Sequence, residues 1–279
     1  MYPELFTLNL PVLGEVTITS FGVMMAFAFL TGYWVLRSEL KRLDGDPDVA
    51  ADILMGALIG GIVGAKIYYV ILYWDRTALD PISMLFTRSG LVWYGGFIGG
   101  ALGVSWVVRR AGLPIPRAAD ACAPALALAY AVGRMGCFLV GDDYGRPTDS
   151  WVGIAFPRGV PPTNAGNLRR FGVDIPPEIS DGELLRVHPT QLYEVGMSLV
   201  IFFILWRLRK HPHMAGWLFG LWLAFAGLER FIVEFFRAKD DRFLGAFTIA
   251  QLISVGLIVV GIMVARRARI AAPAEPAAA

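Results

Sequence analysis

The chain is poor in cysteine, histidine and charge. Only two cysteines, Cys122 and Cys137, occur in 279 residues, and they form neither a metal-ligand spacing nor a disulfide framework. Charged residues make up 17% of the chain and the formal net charge is +2, which gives no support to a nucleic-acid partner. The N-terminus lacks a basic region before an apolar one, so no cleaved signal peptide is expected. The sequence predicts no metal and no cofactor.

Apolar residues are abundant: 56% of the chain is hydrophobic, with eight Trp, nine Tyr and eighteen Phe. A membrane-spanning helix needs about 20 mainly apolar residues. Seven stretches qualify, at residues 17–36, 53–73, 91–108, 119–140, 191–206, 216–236 and 247–265. The sequence therefore predicts an all-α integral membrane protein with about seven transmembrane helices. Glycines at intervals of four, such as Gly56, Gly60 and Gly64 or Gly95 and Gly99, favour close packing of two of these helices.

The connections differ in basic charge, which predicts the topology. Four alternate connections carry three basic residues each, and such an excess marks the cytoplasmic side. The N-terminus is then periplasmic and the C-terminus cytoplasmic. Residues 141–187 are rich in Pro, Gly and Asn and hold Trp151, Phe156 and Phe171, which predicts a small periplasmic head or lid. We expect a single polytopic membrane domain over 1–270 and a disordered low-complexity tail over 271–279.

Charged side chains interrupt the apolar stretches, which is costly in a membrane unless they are paired or hydrated. Arg134 ends the run APALALAYAVGR, and Arg230, Glu234 and Arg237 lie in the segment GLERFIVEFFR. Their spacing puts the last three on one helix face, where Glu234 can pair with both arginines. The planar guanidinium group suits phosphate, so a lipid head group is a candidate ligand. The alternative is a structural ion pair between helices, or a snorkelling Arg237 at the interface.

Three further segments combine polar groups with turn residues or glycine. GRMGCFLVGDDYGRPTD (133–149) is either a ligand-binding loop or a glycine-rich helix exit with Asp–Arg surface pairs. In VHPTQLYE (187–194), His188 is either a proton acceptor or the anchor of a helix start. In GLVWYGGFIGG (90–100), Tyr94 belongs to an aromatic belt or offers its hydroxyl to a lipid head group.

Taken together, these segments resemble the bacterial prolipoprotein diacylglyceryl transferase family. The family patterns GRxGNFxNxExxGRxT, HPxQLYE and RFxxEFFR correspond, in the same order, to GRMGCFLVGDDYGRPT, HPTQLYE and RFIVEFFR. FGVMM and YGGFIGG stand where the family commonly has YG and HGG segments. The resemblance covers nearly the whole chain, and HPTQLYE and RFIVEFFR are specific in combination.

The resemblance implies transfer of a diacylglyceryl group from phosphatidylglycerol to the lipobox cysteine thiol of a prolipoprotein signal peptide, forming a thioether and releasing glycerol phosphate. It implies an inner-membrane enzyme among membrane lipids, with its active site toward the periplasmic leaflet. The catalytic residues would be Arg134, Arg230, Tyr94, Glu234 and His188. The substrate-binding residues would be Arg134, Arg237, Asp142, Gly145, Arg146, Gln191, Tyr193 and Glu194.

The chain departs from the family pattern at several positions. Tyr94 replaces the usual histidine, and its ordinary pKa near 10 makes it a poor proton acceptor at neutral pH. Cys137 replaces an asparagine, Phe21 a tyrosine and Lys66 an arginine. The base is then His188, or the thiol ionises in the field of the arginines. An anionic-solute transporter and a catalytically silent phospholipid-binding paralogue are the alternative functions, although no internal repeat favours a transporter.

Overall fold

A computed structural model describes residues 1–10, 14–87, 90–238, 242–244 and 247–270, and most of them are helical. The helices are α1 (Ser20–Arg42), α2 (Val49–Leu72), α3 (Trp74–Leu79), α4 (Pro81–Phe86), α5 (Trp93–Arg110), α6 (Ile115–Val140), α7 (Ala165–Arg170), α8 (Thr190–Leu208), α9 (Trp217–Glu234) and α10 (Ile249–Ile270). Two antiparallel hairpins are formed by β1 (Glu4–Leu10) with β2 (Gly14–Thr19) and by β3 (Arg242–Leu244) with β4 (Phe247–Thr248). The predicted disordered tail, 271–279, lies outside the described residues.

Each of the seven predicted apolar stretches contains a helix, although the first and the last begin in the strands β2 and β4. Within the described ranges, five helices are long and apolar enough to cross a membrane, namely α1, α2, α6, α8 and α10. Helices α5 and α9 have 18 residues each; α5 is rich in glycine, and α9 carries three charged side chains near its end. The chain is thus a mainly helical membrane protein, and the count of seven crossings stays a prediction.

Polar residues account for two features that hydropathy did not predict. Helix α1 continues to Arg42, beyond the predicted end at 36, and the fully buried Glu39 pairs there with Arg42 at 2.8 Å. The short helix α4 begins where Asp80 accepts a hydrogen bond from the Ser83 N–H at 3.1 Å and Pro81 occupies the first turn. An aspartate cap and a proline in the first turn are both common at the start of a helix.

The described residues form two compact units, the first made of Met1–Gly32 with the chain from Ala123 onward, and the second of Tyr33–Cys122. In the second unit, α2 packs on α5 through the glycines predicted from their spacing. A Cβ added at Gly56 would lie 2.9 Å from Val107 Cγ2, and one at Gly99 would lie 2.8 Å from the Gly64 Cα. Only glycine permits this backbone approach.

Helices α8, α9 and α10 pack together in the first unit. A core of small and branched side chains lies between α6, α8 and α9, including Ala127, Leu205 and Leu218. Glycines again set the spacing of α9 and α10, since a Cβ at Gly220 would lie 2.6 Å from the Ala265 nitrogen. Nearer the charged end of α9, a Cβ at Gly227 would lie 2.7 Å from the Ser254 carbonyl oxygen, so the two helices stay in close contact there.

Residues 141–187 fold around an apolar core that also includes Ala238, with Met1 and Phe138 packed against it. Phe156, Leu168 and Val187 are fully buried, and Tyr144 stacks on Phe156 with 5.7 Å between ring centroids. Thr163 is also fully buried, and its hydroxyl accepts from the Phe156 N–H and donates to the Leu185 carbonyl. Of the three aromatic residues noted in the sequence, Phe156 and Phe171 join this core, whereas Trp151 is 90% exposed.

Candidate active site

Arg134 lies near the end of α6 and is held by two carboxylates. Its Nη2 lies 2.8 Å from Glu194 Oε1 on α8, and its Nη1 lies 2.9 Å from Asp143 Oδ2 just beyond α6. The Arg134 side chain is 13% exposed and that of Glu194 only 2%. A guanidinium group satisfied on both sides in this way has a fixed orientation.

Asp143 joins Arg134 to Arg237. Its second oxygen, Oδ1, lies 3.1 Å from Arg237 Nη2, so one carboxylate bridges two guanidinium groups. Asp143 has a φ of +54°, a left-handed conformation that aspartate tolerates better than most residues. Burial alone would raise the pKa of Asp143, but Arg237 and Arg134, with Arg230, outweigh burial and hold it below its usual range. Asp143 is therefore ionised at neutral pH.

Arg230 and Glu234 form a second ion pair one helical turn apart on α9, with 2.6 Å between Nη2 and Oε2. This short approach lacks hydrogen-bond geometry. Among the described residues, Glu234 Oε2 therefore has no hydrogen-bond partner, and the buried Arg230 Nη1 has none either. A guanidinium group with an unsatisfied N–H is suited to donate to an anionic oxygen.

The prediction that Glu234 pairs with both neighbouring arginines is wrong. Helix α9 ends at Glu234, so Arg237 lies beyond the helix and does not share its face. Within the described chain, Glu234 pairs with Arg230 and Arg237 pairs with Asp143. The three arginines nevertheless belong to one cationic cluster (Arg134, Arg230 and Arg237), because all three act on the Asp143 carboxylate.

Gly145 and Arg146 fix the backbone that carries Arg237. The Arg146 N–H donates to the Phe236 carbonyl at 2.7 Å, and its Nε donates to the Arg237 carbonyl at 3.0 Å. Gly145 pairs with Arg237 as a β-bridge, and a Cβ there would lie 2.9 Å from His188 Cβ. The first predicted signature thus contacts the other two directly.

The first turn of α8 clamps the adjacent aspartates through their backbone. The Thr190 hydroxyl donates to the Asp143 carbonyl at 2.7 Å, and the Gln191 amide donates to the Asp142 carbonyl. The Asp142 side chain does not bridge the arginines; its Oδ1 is buried with no hydrogen-bond partner in the described chain. Burial, and then the neighbouring charge of Asp143, raise the pKa of Asp142.

His188 lies in an aromatic cluster. Its Nδ1 is 3.0 Å from the Tyr193 hydroxyl, and its ring meets Phe236 edge-to-face with 5.2 Å between centroids. Burial lowers the pKa of His188, so the imidazole is neutral at pH 7. A neutral ring keeps one nitrogen able to accept a proton.

Tyr94 belongs to the second compact unit, Tyr33–Cys122. It lies in the first turn of α5, is 51% exposed, and meets Trp93 edge-to-face with 5.3 Å between centroids. In the same unit, the Lys66 ammonium donates to the Thr87 carbonyl at 2.8 Å.

Sequence reasoning missed four residues of the polar network. The Tyr130 hydroxyl donates to Glu194 Oε1 at 2.9 Å and accepts from Arg134 Nε at 3.0 Å. On α8 and α9, the buried Ser198 hydroxyl lies 2.7 Å from an oxygen of the buried Glu229. The fourth is Asp143, since the predicted site residues include Asp142 and not Asp143. Tyr130 falls on the face of Arg134 at a spacing of four, which is a signal that could have found it.

Comparison with known proteins identifies the family to which the chain is similar. The prolipoprotein diacylglyceryl transferase family matches residues 9–266. A phosphatidylglycerol–prolipoprotein diacylglyceryl transferase of Geobacter sulfurreducens is 32% identical over 261 residues, covering 91% of this chain and 92% of that protein. One of Clostridium tetani is 31% identical over 258 residues, covering 91% and 96%. With a family match along nearly its whole length and relatives of this similarity, the chain belongs to the prolipoprotein diacylglyceryl transferase family.

Proposed function

We propose that this protein transfers the diacylglyceryl group of phosphatidylglycerol to the lipobox cysteine thiol of prolipoproteins. The observation that carries the proposal is the cationic cluster, in which Arg134 and Arg237 share Asp143 and Arg230 has a nitrogen without a partner among the described residues. Family membership indicates the reaction, and the cationic cluster is the binding site that we assign to the lipid phosphate.

The arginines bind and neutralise the phosphate. Arg230 Nη1 donates a hydrogen bond to a phosphate oxygen, and Glu234 orients Arg230 from one turn away. Glu194 and Tyr130 hold Arg134 in the same way from α8 and α6. The resemblance also predicts that Tyr94 offers its hydroxyl to the head group. Donors fixed before the reaction stabilise a departing phosphate more than mobile ones do.

The transfer is a displacement at the carbon of the diacylglyceryl group that bears the phosphate. The cysteine sulfur forms a bond to this carbon while the carbon–oxygen bond breaks, and the bonding electron pair stays on the phosphate oxygen. Glycerol phosphate leaves, and the cationic cluster stabilises the charge on its oxygen. The thiol first loses its proton, because the thiolate is the nucleophile. Neutral His188 accepts it at Nε2 when Nδ1–H donates to Tyr193.

Asp142, Gly145, Arg146, Gln191 and Tyr193 complete the substrate-binding set. Gly145 and Arg146 act through the backbone of Arg237, and Gln191 acts through the backbone of Asp142. We place these residues toward the periplasmic leaflet of the inner membrane. Seven helices cross the bilayer in a single membrane domain over 1–270, residues 141–187 form a periplasmic head, and the C-terminus is cytoplasmic. The distribution of basic residues supports this arrangement.

One experiment tests the function directly. Purified protein is incubated with phosphatidylglycerol and a lipobox peptide, and mass spectrometry follows the diacylglyceryl thioether and glycerol phosphate. We expect both products in equal amounts. Phosphatidylglycerol binding without either product would identify a silent lipid-binding protein, and anion flux into proteoliposomes without product would identify a transporter.

A further inference from the structure

A pocket of about 380 Å³ lies beside the cationic cluster in the same compact unit, and no step described above uses it. We propose that this pocket, called here the acceptor pocket, holds the peptide segment next to the reactive cysteine of the acceptor substrate. The inference rests on the proposed function and adds the location of the peptide. The residues that carry it are Pro3, Glu4, Thr19, Phe21, Asp142 and Val160.

The walls of the acceptor pocket come from four parts of the chain. They are the N-terminal segment, the start of α1, the end of α6 and the head. Backbone hydrogen bonds join three of these parts, from the Tyr2 N–H to the Leu139 carbonyl at 3.3 Å and from the Ser20 N–H to the Pro3 carbonyl at 3.1 Å. The pocket is therefore bounded by connected backbone and not by loose side chains.

The charge of the acceptor pocket excludes the phosphate as its occupant. The two ionisable side chains that line it, Glu4 and Asp142, are both acidic. The two acidic side chains would repel a phosphate anion placed there, whereas the three guanidinium groups of the cationic cluster attract it. A neutral peptide segment meets no such penalty.

Polar groups in the lining favour a peptide over an acyl chain. Glu4, Thr19 and Asp142 supply side-chain oxygens that can accept hydrogen bonds from peptide N–H groups, and hydrocarbon has no such donor. Among the described residues, Asp142 Oδ1 has no hydrogen-bond partner, which leaves it an acceptor to satisfy. The apolar surfaces of Phe21 and Val160 suit small aliphatic side chains.

The position of the acceptor pocket suits the reaction. Asp142 lines the pocket, and the next residue, Asp143, bridges Arg134 and Arg237. Consecutive Cα atoms are about 3.8 Å apart, so the pocket and the cluster share one stretch of backbone. A peptide in the pocket brings its thiol to the side of the phosphate-bearing carbon.

The test fills the acceptor pocket without altering the cluster. Val160, which is 58% exposed, is changed to Phe and to Trp, and Leu184, an exposed apolar residue of the same head, is changed to Trp as the matched control. We expect Val160→Trp to raise KM for the lipobox peptide about tenfold or more, the scale of losing one fitted pocket contact, with a smaller rise for Val160→Phe. In the Val160 variants, KM for phosphatidylglycerol and Tm should not change. In the Leu184→Trp enzyme, KM for the lipobox peptide should not change either.

A second readout separates the pocket from the proposed function. A photo-crosslinking peptide with serine in place of the reactive cysteine reports binding alone. If the unaltered protein crosslinks the peptide but forms no thioether, the proposed function fails, and loss of the crosslink in Val160→Trp still supports the pocket. An unchanged peptide KM and crosslink in a folded, active Val160→Phe enzyme overturns the pocket and leaves the function standing. If the Val160 variants raise KM for phosphatidylglycerol and leave KM for the peptide unchanged, the pocket proposal is also overturned.

Discussion

Asp143 lies between Arg134 and Arg237 and occupies, with its two carboxylate oxygens, the kind of position that a phosphate would take. The carboxylate is 41% exposed, so it can move aside. Phosphate and Asp143 then compete for the same guanidinium groups. In this interpretation Asp143 keeps the two arginines oriented in the absence of lipid and gives way when lipid binds.

Replacing Asp143 by asparagine tests this competition. Asparagine keeps the size and tolerates the left-handed φ of +54°, but it loses the charge. We expect KM for phosphatidylglycerol and the inhibition constant of glycerol phosphate to fall several-fold, because both arginines are freed. A higher KM would mean that Asp143 positions the arginines for substrate and does not compete with it.

The same substitution predicts a pH dependence of stability. The pKa of Asp143 is lowered in the folded protein, so its ion pairs contribute stability above the ordinary pKa of about 3.9 and lose it as the pH falls through the folded value. At pH 7, Asp143→Asn should therefore have a lower Tm than the unaltered protein. The difference should shrink below about pH 4. Thermal unfolding in detergent across this range measures it, and a constant difference would contradict the role of the charge.

Arg134 and Arg230 should be the most sensitive positions for transfer. We expect Arg134→Lys and Arg230→Lys to lose about 100-fold or more in kcat while inserting normally, because lysine keeps the charge but lacks the planar fork. Lysine is preferred to alanine, since alanine leaves buried Glu194 and Glu234 without a partner charge. The thioether assay measures the loss.

Two controls accompany the lysine variants. Arg170→Lys alters an exposed arginine at the end of α7 and should leave kcat unchanged. Tyr94→Phe should lose less than either cluster variant, since one hydroxyl is removed. Near-normal transfer by both cluster variants would refute the phosphate-binding role, and complete loss in Tyr94→Phe would make that hydroxyl central.

At the scale of elements, the packing of α2 on α5 gives a prediction about stability. A Cβ at Gly99 would press on backbone of α2, whereas one at Gly96, on the same helix, meets its nearest atom at 3.5 Å. We expect Gly99→Ala to destabilise the protein by about 1–3 kcal/mol and lower Tm, as overpacking does, with little change in Gly96→Ala. Equal Tm values for the two variants would rule out the glycine contact as the reason for the spacing.

The helices themselves were predictable because their signals are local. Each long apolar run became a helix, and the four-residue glycine spacing marked a close contact correctly. The ends were less predictable: α1 runs on to Arg42, where its buried Glu39 pairs with Arg42, and α9 stops at Glu234 before Arg237. Hydropathy reports apolar length, but tertiary contacts decide where the last turn forms.

At the scale of the whole molecule, the proposed topology can be checked by labelling. Single cysteines are introduced at Trp151, which is 90% exposed in the head, and at exposed Arg110, which ends α5, in a Cys122→Ala, Cys137→Ala background. We expect an impermeant maleimide added outside spheroplasts to label only the first, and lysis to expose the second. The reverse pattern would invert the orientation, and Tm of the background protein controls for folding.

By itself, the sequence determined the membrane character, the helical stretches, the glycine contact and the order of the three charged signatures, because each depends on neighbours within a few turns. Only the tertiary structure decided which acid meets which arginine. Asp143, not Asp142, bridges Arg134 to Arg237, and these arginines are far apart along the chain. That pairing depends on a left-handed backbone at one residue and on helices that bring distant side chains within about 3 Å, the range of a charge-assisted hydrogen bond, and no local pattern encodes it.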